Sequence, residues 1–205
     1  MNILAVGAHP DDIEIGCGGT LIKYTQKGHN VFLLLITKGE KGGEIETRST
    51  EQIRAAEIIG AKDVFWGSFQ DTELINRGRE IIQTVESYID LVNPDLIFVN
   101  FFDDTHQDHR RVSQSVLSAT RYIKNVLFYE VPTTSNFTPH VFADISETLE
   151  EKIRTLEAHQ SQVMKTNIED LTIVEIARSA ATFRGIQGRV KYAEAFSALR
   201  LFLNI

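Results

Sequence analysis

Short apolar runs at residues 2–7, 31–37, 64–67, 95–101 and 126–131 punctuate the chain, rich in β-branched, leucine and aromatic side chains and bounded by polar residues. Runs of that length and make-up read as buried strands. Between them the spacing changes to that of a helix. Ile81, Val85, Ile89 and Val92 recur on one face until Pro94 stops the pattern, and Val112, Val116, Ala119 and Ile123 repeat it after the fourth run. Strands alternating with helices predict an α/β fold, a doubly wound and mostly parallel sheet with helices on both faces. Further on, a short strand at 140–143 precedes Ile145, Leu149, Ile153 and Leu156 at helical spacing, and 171–181 reads as helix. Residues 190–196 show no pattern that chooses between strand and helix.

In such a sheet ligands bind beyond the carboxyl ends of the strands, so the residues that follow each run carry the functional argument. Directly after the first run stand His9, Pro10, Asp11, Asp12 and Glu14, and directly after the fourth stand Asp103, Asp104, His106, Asp108 and His109. A structural turn accounts for Pro10 and one aspartate, but not for a histidine with several carboxylates. His9 and Asp12 with one of the later histidines make a three-ligand set, which leaves positions open for water as in catalytic zinc; structural zinc takes four ligands, commonly thiolates. A helix starting near Asp108 would hold His109 on its first turn more rigidly than His106 in the loop. His109 is therefore assigned to the metal, and His106 is left free to donate a proton or hydrogen bond. The glycines Gly16, Gly18 and Gly19 lack the G-x-G-x-x-G spacing of a dinucleotide turn and read instead as close helix packing. His29 and His140 read as structural, and the glycine-rich stretch 38–43 as a mobile loop beside His9.

Composition narrows the partners. With 21 basic and 28 acidic residues the net charge is −7, which argues against nucleic acid or an anionic membrane and favours a small neutral or polar ligand. A content of 42% hydrophobic and 24% charged residues is that of an ordinary soluble protein, and nothing marks a boundary within 1–205, so one domain is expected. The single cysteine, Cys17, forms no internal disulfide, and neither a signal segment nor a membrane-length apolar run stands out, which makes the cytoplasm the expected compartment.

The stretch AHPDDIEIGCGGT at 8–20 resembles, nearly letter for letter, the first motif of the PIG-L or LmbE-like metal-dependent deacetylases. HQDH at 106–109 is similar to that family's H-x-D-H motif, with Gln107 where proline is frequent. The segment from Thr47, Arg48 and Glu51 to Gly60, the run HQSQ at 159–162 and the closing YAEAF at 192–196 extend the resemblance over most of the chain. It implies a Rossmann-like fold, Zn²⁺ held by His9, Asp12 and His109, and Asp11 as general base. It further implies that protonated His106 stabilises the oxyanion with Asp108 beside it to orient it, and that Arg48 and Tyr192 lie near the substrate. Another divalent ion such as Fe²⁺ can compete for such ligands.

The reaction implied is removal of the acetyl group from an N-acetylglucosamine-type sugar by a metal-activated water. Members acting on a glucosaminyl-malate precursor tend to carry an arginine just before H-x-D-H, whereas this chain has Asp103, Asp104 and Thr105, with Arg110 and Arg111 as the nearest substitutes. That difference favours a neutral or cationic aglycone over a malate-type one. Amide hydrolysis of another N-acyl substrate, a non-catalytic sugar- or metal-binding protein, and a dinucleotide-dependent enzyme are the competing readings. A homo-oligomer is left open.

Overall fold

The structure, a computed structural model, describes residues 1–202. Its elements in chain order are β1 (Asn2–Gly7), α1 (Asp12–Gln26), β2 (Asn30–Thr37), α2 (Ile45–Ile59), β3 (Asp63–Phe69), α3 (Gly78–Val92) and β4 (Leu96–Asn100). They continue with α4 (Gln107–Ala119), β5 (Val126–Tyr129), β6 (Val141–Asp144), α5 (Leu149–Ala158), α6 (Ile173–Gly188) and β7 (Ala193–Arg200). The seven strands form one sheet in the order β3-β2-β1-β4-β5-β7-β6. Strands β1 to β5 run parallel, as the alternation of runs predicts, and β7 pairs antiparallel with both β5 and β6.

The undecided stretch 190–196 leads into β7, and the reason its pattern was silent is visible. Ala193, Glu194, Ala195 and Phe196 are all buried, so no alternation of apolar and polar residues marks the strand. The final helix also runs longer than 171–181. It begins after a capping box between Thr172 and Glu175 and reaches Gly188.

Helices cover both faces because the parallel strands are apolar on both. On one face Ile3, Ala5 and Leu33 meet Ile13, Cys17 and Leu21 of α1 and Ile59 of α2. On the other, Leu4, Val6 and Val99 meet Ile81 and Val85 of α3 and Val112 and Val116 of α4. Helix α5 lies across α1 and α2, and with α6 forms a smaller cluster around Ile145, Ile153 and Leu156. Among the described residues, no helix is long and apolar enough to cross a membrane.

Two features place the site. Strands β1 and β4 are neighbours, and the chain winds outward from them in opposite directions, so their carboxyl ends flank the crevice where the strand order reverses. Beneath that crevice the buried ring of Tyr129 lies on α1, and its hydroxyl stands 2.8 Å from Val6 O and 3.1 Å from Asn100 Oδ1, with one proton to share between them. A Cβ on Gly16 would stand 2.1 Å from that ring, so the close packing read from the glycine cluster holds here.

Candidate active site

The turn after β1 sends its two aspartates different ways. Asp11 sits at φ 95°, a left-handed conformation that costs a non-glycine residue about 1–3 kcal/mol and concentrates at functional sites. Asp12, next in line, opens α1 and folds its carboxylate back, so that Oδ2 accepts from Ala8 N and His9 N, each at 3.0 Å. The Asp11 carboxylate leaves in another direction and meets Arg48 Nη2 at 3.2 Å. Arg48, from α2, is 4% exposed and is fixed by Pro10 O and Gly39 O, both at 2.7 Å. Burial pushes the Asp11 carboxyl up to about 6, against the pull of Arg48.

The turn after β4 supplies the histidines. His106 caps α4, with Asp108 in the first turn, and its Nδ1 accepts the Asp108 amide at 3.2 Å. That bond places the ring proton on Nε2. Burial lowers the His106 pKa, with the charges of His9 and His109 adding to the effect, which favours the neutral Nε2–H ring over the protonated one. His109, one turn into α4, puts Nε2 3.2 Å from Asp12 Oδ1 and 3.3 Å from His9 Nδ1. Its Nδ1 faces Asp104 Oδ2 at 3.1 Å.

The Asp108 side chain does not orient His106. Its Oδ2 accepts Thr72 N at 2.7 Å and lies 3.4 Å from His9 Nε2. Asp104 likewise turns inward, 3% exposed, where it also accepts His106 N. Asp103 accepts from Asn136, and Arg110 folds back on the carbonyls of Asp104 and Thr105. Of the two acidic residues expected to repel an anionic substrate, Asp104 is therefore committed to the site's own histidines.

A third strand exit contributes a residue the sequence reading missed. Asp71, just past β3, places Oδ1 3.0 Å from His9 Nε2 and accepts Lys41 N on Oδ2 at 3.0 Å. Burial alone would raise it, but His9, the Lys41 amide and Arg48 hold it down at about 2. The available signal was the strand-exit rule applied to a run that carries one aspartate and no histidine. Through Asp71 the glycine-rich loop 38–43, expected to be mobile, is tied to His9. Glu40 accepts Asp71 N, Arg48 holds Gly39 O, and Gln162 and Lys165 both reach Gly42 O.

The donor set fits a divalent cation. His9 Nδ1 stands 3.3 Å from His109 Nε2, and Asp12 spans the two, with Oδ2 3.6 Å from His9 Nδ1 and Oδ1 3.2 Å from His109 Nε2. Among the described residues, two sets bring one ligand atom from each residue within 4.8 Å of one another, His9 with His106 and His109, and His9 with Asp71 and Asp108. Asp108 Oδ1 is buried with no partner. Burial works to lower His9 and His109, yet the surrounding carboxylates overcome it, lifting His9 well above its ordinary value and His109 to about 9. Those carboxylates draw positive charge, which a bound cation would supply in place of the ring protons.

Tyr192 is not brought to this cluster. Its amide meets Ser146 Oγ, its carbonyl takes Ile145 N, and its ring lies on the α5–α6 cluster. Its neighbour Glu194 explains the closing motif differently: it is 4% exposed and accepts Gly19 N, Thr20 N and Lys152 Nζ in the middle of α1. His159 lies buried 3.6 Å from Glu14, and Ser161 donates from both amide and hydroxyl to Glu51.

Comparison with known proteins supplies the context. The model of the PIG-L family, described as GlcNAc-PI de-N-acetylase, matches residues 4–120. An uncharacterized deacetylase, YaiS, from Escherichia coli K12 is 35% identical over 78% of this chain and 90% of its own. The diacetylchitobiose deacetylase of Thermococcus kodakarensis is 30% identical over 99% of this chain and 85% of its own. The crystal structure of the conserved protein TT1542 from Thermus thermophilus superposes with a TM-score of 0.88 at 26% identity, covering 100% of this chain and 97% of that one.

Proposed function

Since the chain belongs to the PIG-L family, we propose that it is a zinc-dependent deacetylase that hydrolyses the acetamide of an N-acetylglucosamine-type substrate. The observation that carries the reading is the division at the first strand exit. Asp12 meets His109 at 3.2 Å, whereas Asp11, adjacent in sequence, meets Arg48 at 3.2 Å. Adjacent carboxylates pointing apart suit one metal ligand and one base.

His9, Asp12 and His109 would hold the ion. Bound there, zinc supplies Lewis-acid chemistry, polarising the amide carbonyl and making a water acidic enough to attack near neutral pH. The remaining work falls to the chain. Asp11, kept basic by burial and aimed by Arg48, takes the proton of the attacking water. His106 donates Nε2–H to the oxygen that gains charge as the carbonyl is attacked. The proton reaches the leaving amine from Asp11 or His106. Asp71 and Asp108 accept from His9 Nε2 and Asp104 from His109 Nδ1, which fixes both rings with the opposite nitrogen toward the ion.

For the substrate, the turn before His106 supports a neutral aglycone, because Arg110 is committed to backbone carbonyls and Asp103 stands on the outer side. Acetate release from N,N′-diacetylchitobiose by the zinc-loaded protein tests the activity. Chelation should abolish release and zinc should restore it. Higher kcat/KM on the N-acetylglucosaminyl-malate conjugate than on neutral glycosides would overturn the aglycone assignment.

A further inference from the structure

One turn along α1 from Asp12, on the same face, Ile15 and Gly16 form one wall of a cavity of about 200 Å³. The loop after β5 forms another wall, through Val131, Pro132 and Thr134. That loop also borders the site just described: the Thr134 hydroxyl donates to Asp104 Oδ2 at 3.1 Å, and the Thr133 hydroxyl lies 3.4 Å from His109 Nδ1. The cavity and the histidine cluster thus share the first turns of α1 and one loop.

The lining defines a chemistry. Alanines from α6 and β7, among them Ala177, Ala181 and Ala195, line it and leave room between α1 and α6. Four charged side chains also reach the cavity, and they cancel in pairs. Arg184 grips Glu130 through two bonds of 2.5 and 2.6 Å, and Lys152 meets Glu194 at 2.5 Å. A charged guest would find no unpaired counter-ion, whereas an uncharged apolar one finds aliphatic walls. One polar contact is on offer. Lys152 is 3% exposed and has three N–H donors, of which one goes to Glu194 and one to Ile15 O at 2.6 Å.

We propose that this cavity is an accessory subsite that takes an uncharged, largely apolar group carried by the substrate, with one acceptor oxygen meeting the remaining N–H of Lys152. The proposal rests on the deacetylase reading, and its test separates the two. Ala180 lines the cavity yet is itself exposed, so Ala180→Trp narrows it without disturbing the core. Wild type should hydrolyse hexyl N-acetyl-β-glucosaminide with kcat/KM on the order of 10-fold above that for N-acetylglucosamine, the size of discrimination apolar pockets provide. Ala180→Trp should erase that preference and keep the N-acetylglucosamine rate within about twofold. Equal rates on both substrates in wild type, or a preference that survives the substitution, would overturn the subsite. If neither substrate is hydrolysed, the deacetylase reading fails, and the cavity is then judged by calorimetric titration with hexyl β-glucoside. Binding by wild type that Ala180→Trp removes supports a site for uncharged apolar groups. No binding to wild type, or equal binding to both proteins, refutes it.

Discussion

In the middle of α1 the carboxylate of Glu194 has both oxygens filled, Oε1 by Gly19 N at 2.9 Å and Lys152 Nζ at 2.5 Å, and Oε2 by Thr20 N at 2.7 Å. At the amino end of the same helix Asp11, Asp12, Asp71, Asp104 and Asp108 gather around three imidazoles and the single guanidinium of Arg48, and Asp108 Oδ1 has no partner. Both assemblies are buried. In the first the charges cancel and both carboxylate oxygens are filled; in the second negative charge is left over and an acceptor stays open. Buried charge is tolerated when it is paired, and a native set with excess carboxylate calls for a cation. A closed pair fixes backbone, while an open set is organised for a ligand.

The comparison breaks most sharply at Asp11. On the proposed mechanism Asp11→Asn removes the base and leaves His9, Asp12 and His109 intact, so zinc content should stay near one per chain while kcat falls by a factor on the order of 10²–10⁴. Asp12→Asn and His109→Ala should lose zinc instead. Metal analysis and turnover on the same preparations check this, and an Asp11→Asn protein that comes out metal-free would reverse the roles of the two aspartates.

Next comes the closed pair. Glu194→Ala strands the Lys152 ammonium in the interior and should cost about 3–5 kcal/mol in denaturant unfolding. Replacing both, as Lys152→Met with Glu194→Leu, should recover much of that loss, because no charge is then left unpaired. At the open set the same logic should run the other way. Removing one carboxylate relieves repulsion in the metal-free protein, so Asp108→Asn should raise its Tm while lowering zinc affinity. If the metal-free Asp108→Asn protein melts well below wild type, the excess charge is not where the geometry places it.

A smaller effect is expected at Asp71. Partners that orient a metal-ligating histidine typically contribute 10–100-fold to affinity, so Asp71→Asn should weaken zinc by about that factor. Equilibrium competition with a chelator measures it. Unchanged affinity would leave His9 to Asp108 alone.

How far these regions were legible depends on where their information lies. His9, Asp12 and His109 could be found because each follows directly on an apolar run and the two runs become adjacent parallel strands, so sequence neighbourhood translated into spatial neighbourhood. Asp71 follows β3, whose strand residues are only half-buried or exposed, and no histidine stands near it in the sequence. Lys152 sits in the polar run Glu150-Glu151-Lys152 and looks like a surface residue. Its burial depends on α5 lying across α1, and Glu194 reaches it only because β7 inserts between β5 and β6. Contacts made by such long-range insertion leave no local periodicity to read. His106 shows a subtler limit. Its place beside the site was legible from spacing, but the downward pull on its pKa comes from burial and from the two other rings beside it.

Tyr129 stands between the two assemblies and lets their independence be tested. Its ring lies against Gly16 of α1, and its hydroxyl joins β1 to β4 through Val6 O and Asn100 Oδ1. Tyr129→Phe keeps the ring and therefore the packing on α1, but removes the one proton that Val6 O and Asn100 Oδ1 share. The loss should be about 1–3 kcal/mol of stability. Adding Asn100→Leu removes one of the stranded acceptors and should recover part of that cost, because replacing both partners of a buried hydrogen bond is milder than deleting one. The two assemblies hang on different atoms, the open set on strand exits and the closed pair on the amides of α1. If they are separate units, Tyr129→Phe should lower Tm while zinc affinity and kcat change by less than about twofold, since sites without shared partners behave additively. A fall in zinc affinity larger than the stability loss explains would mean that the hydroxyl under the sheet sets the position of Asp12, joining the two regions into one.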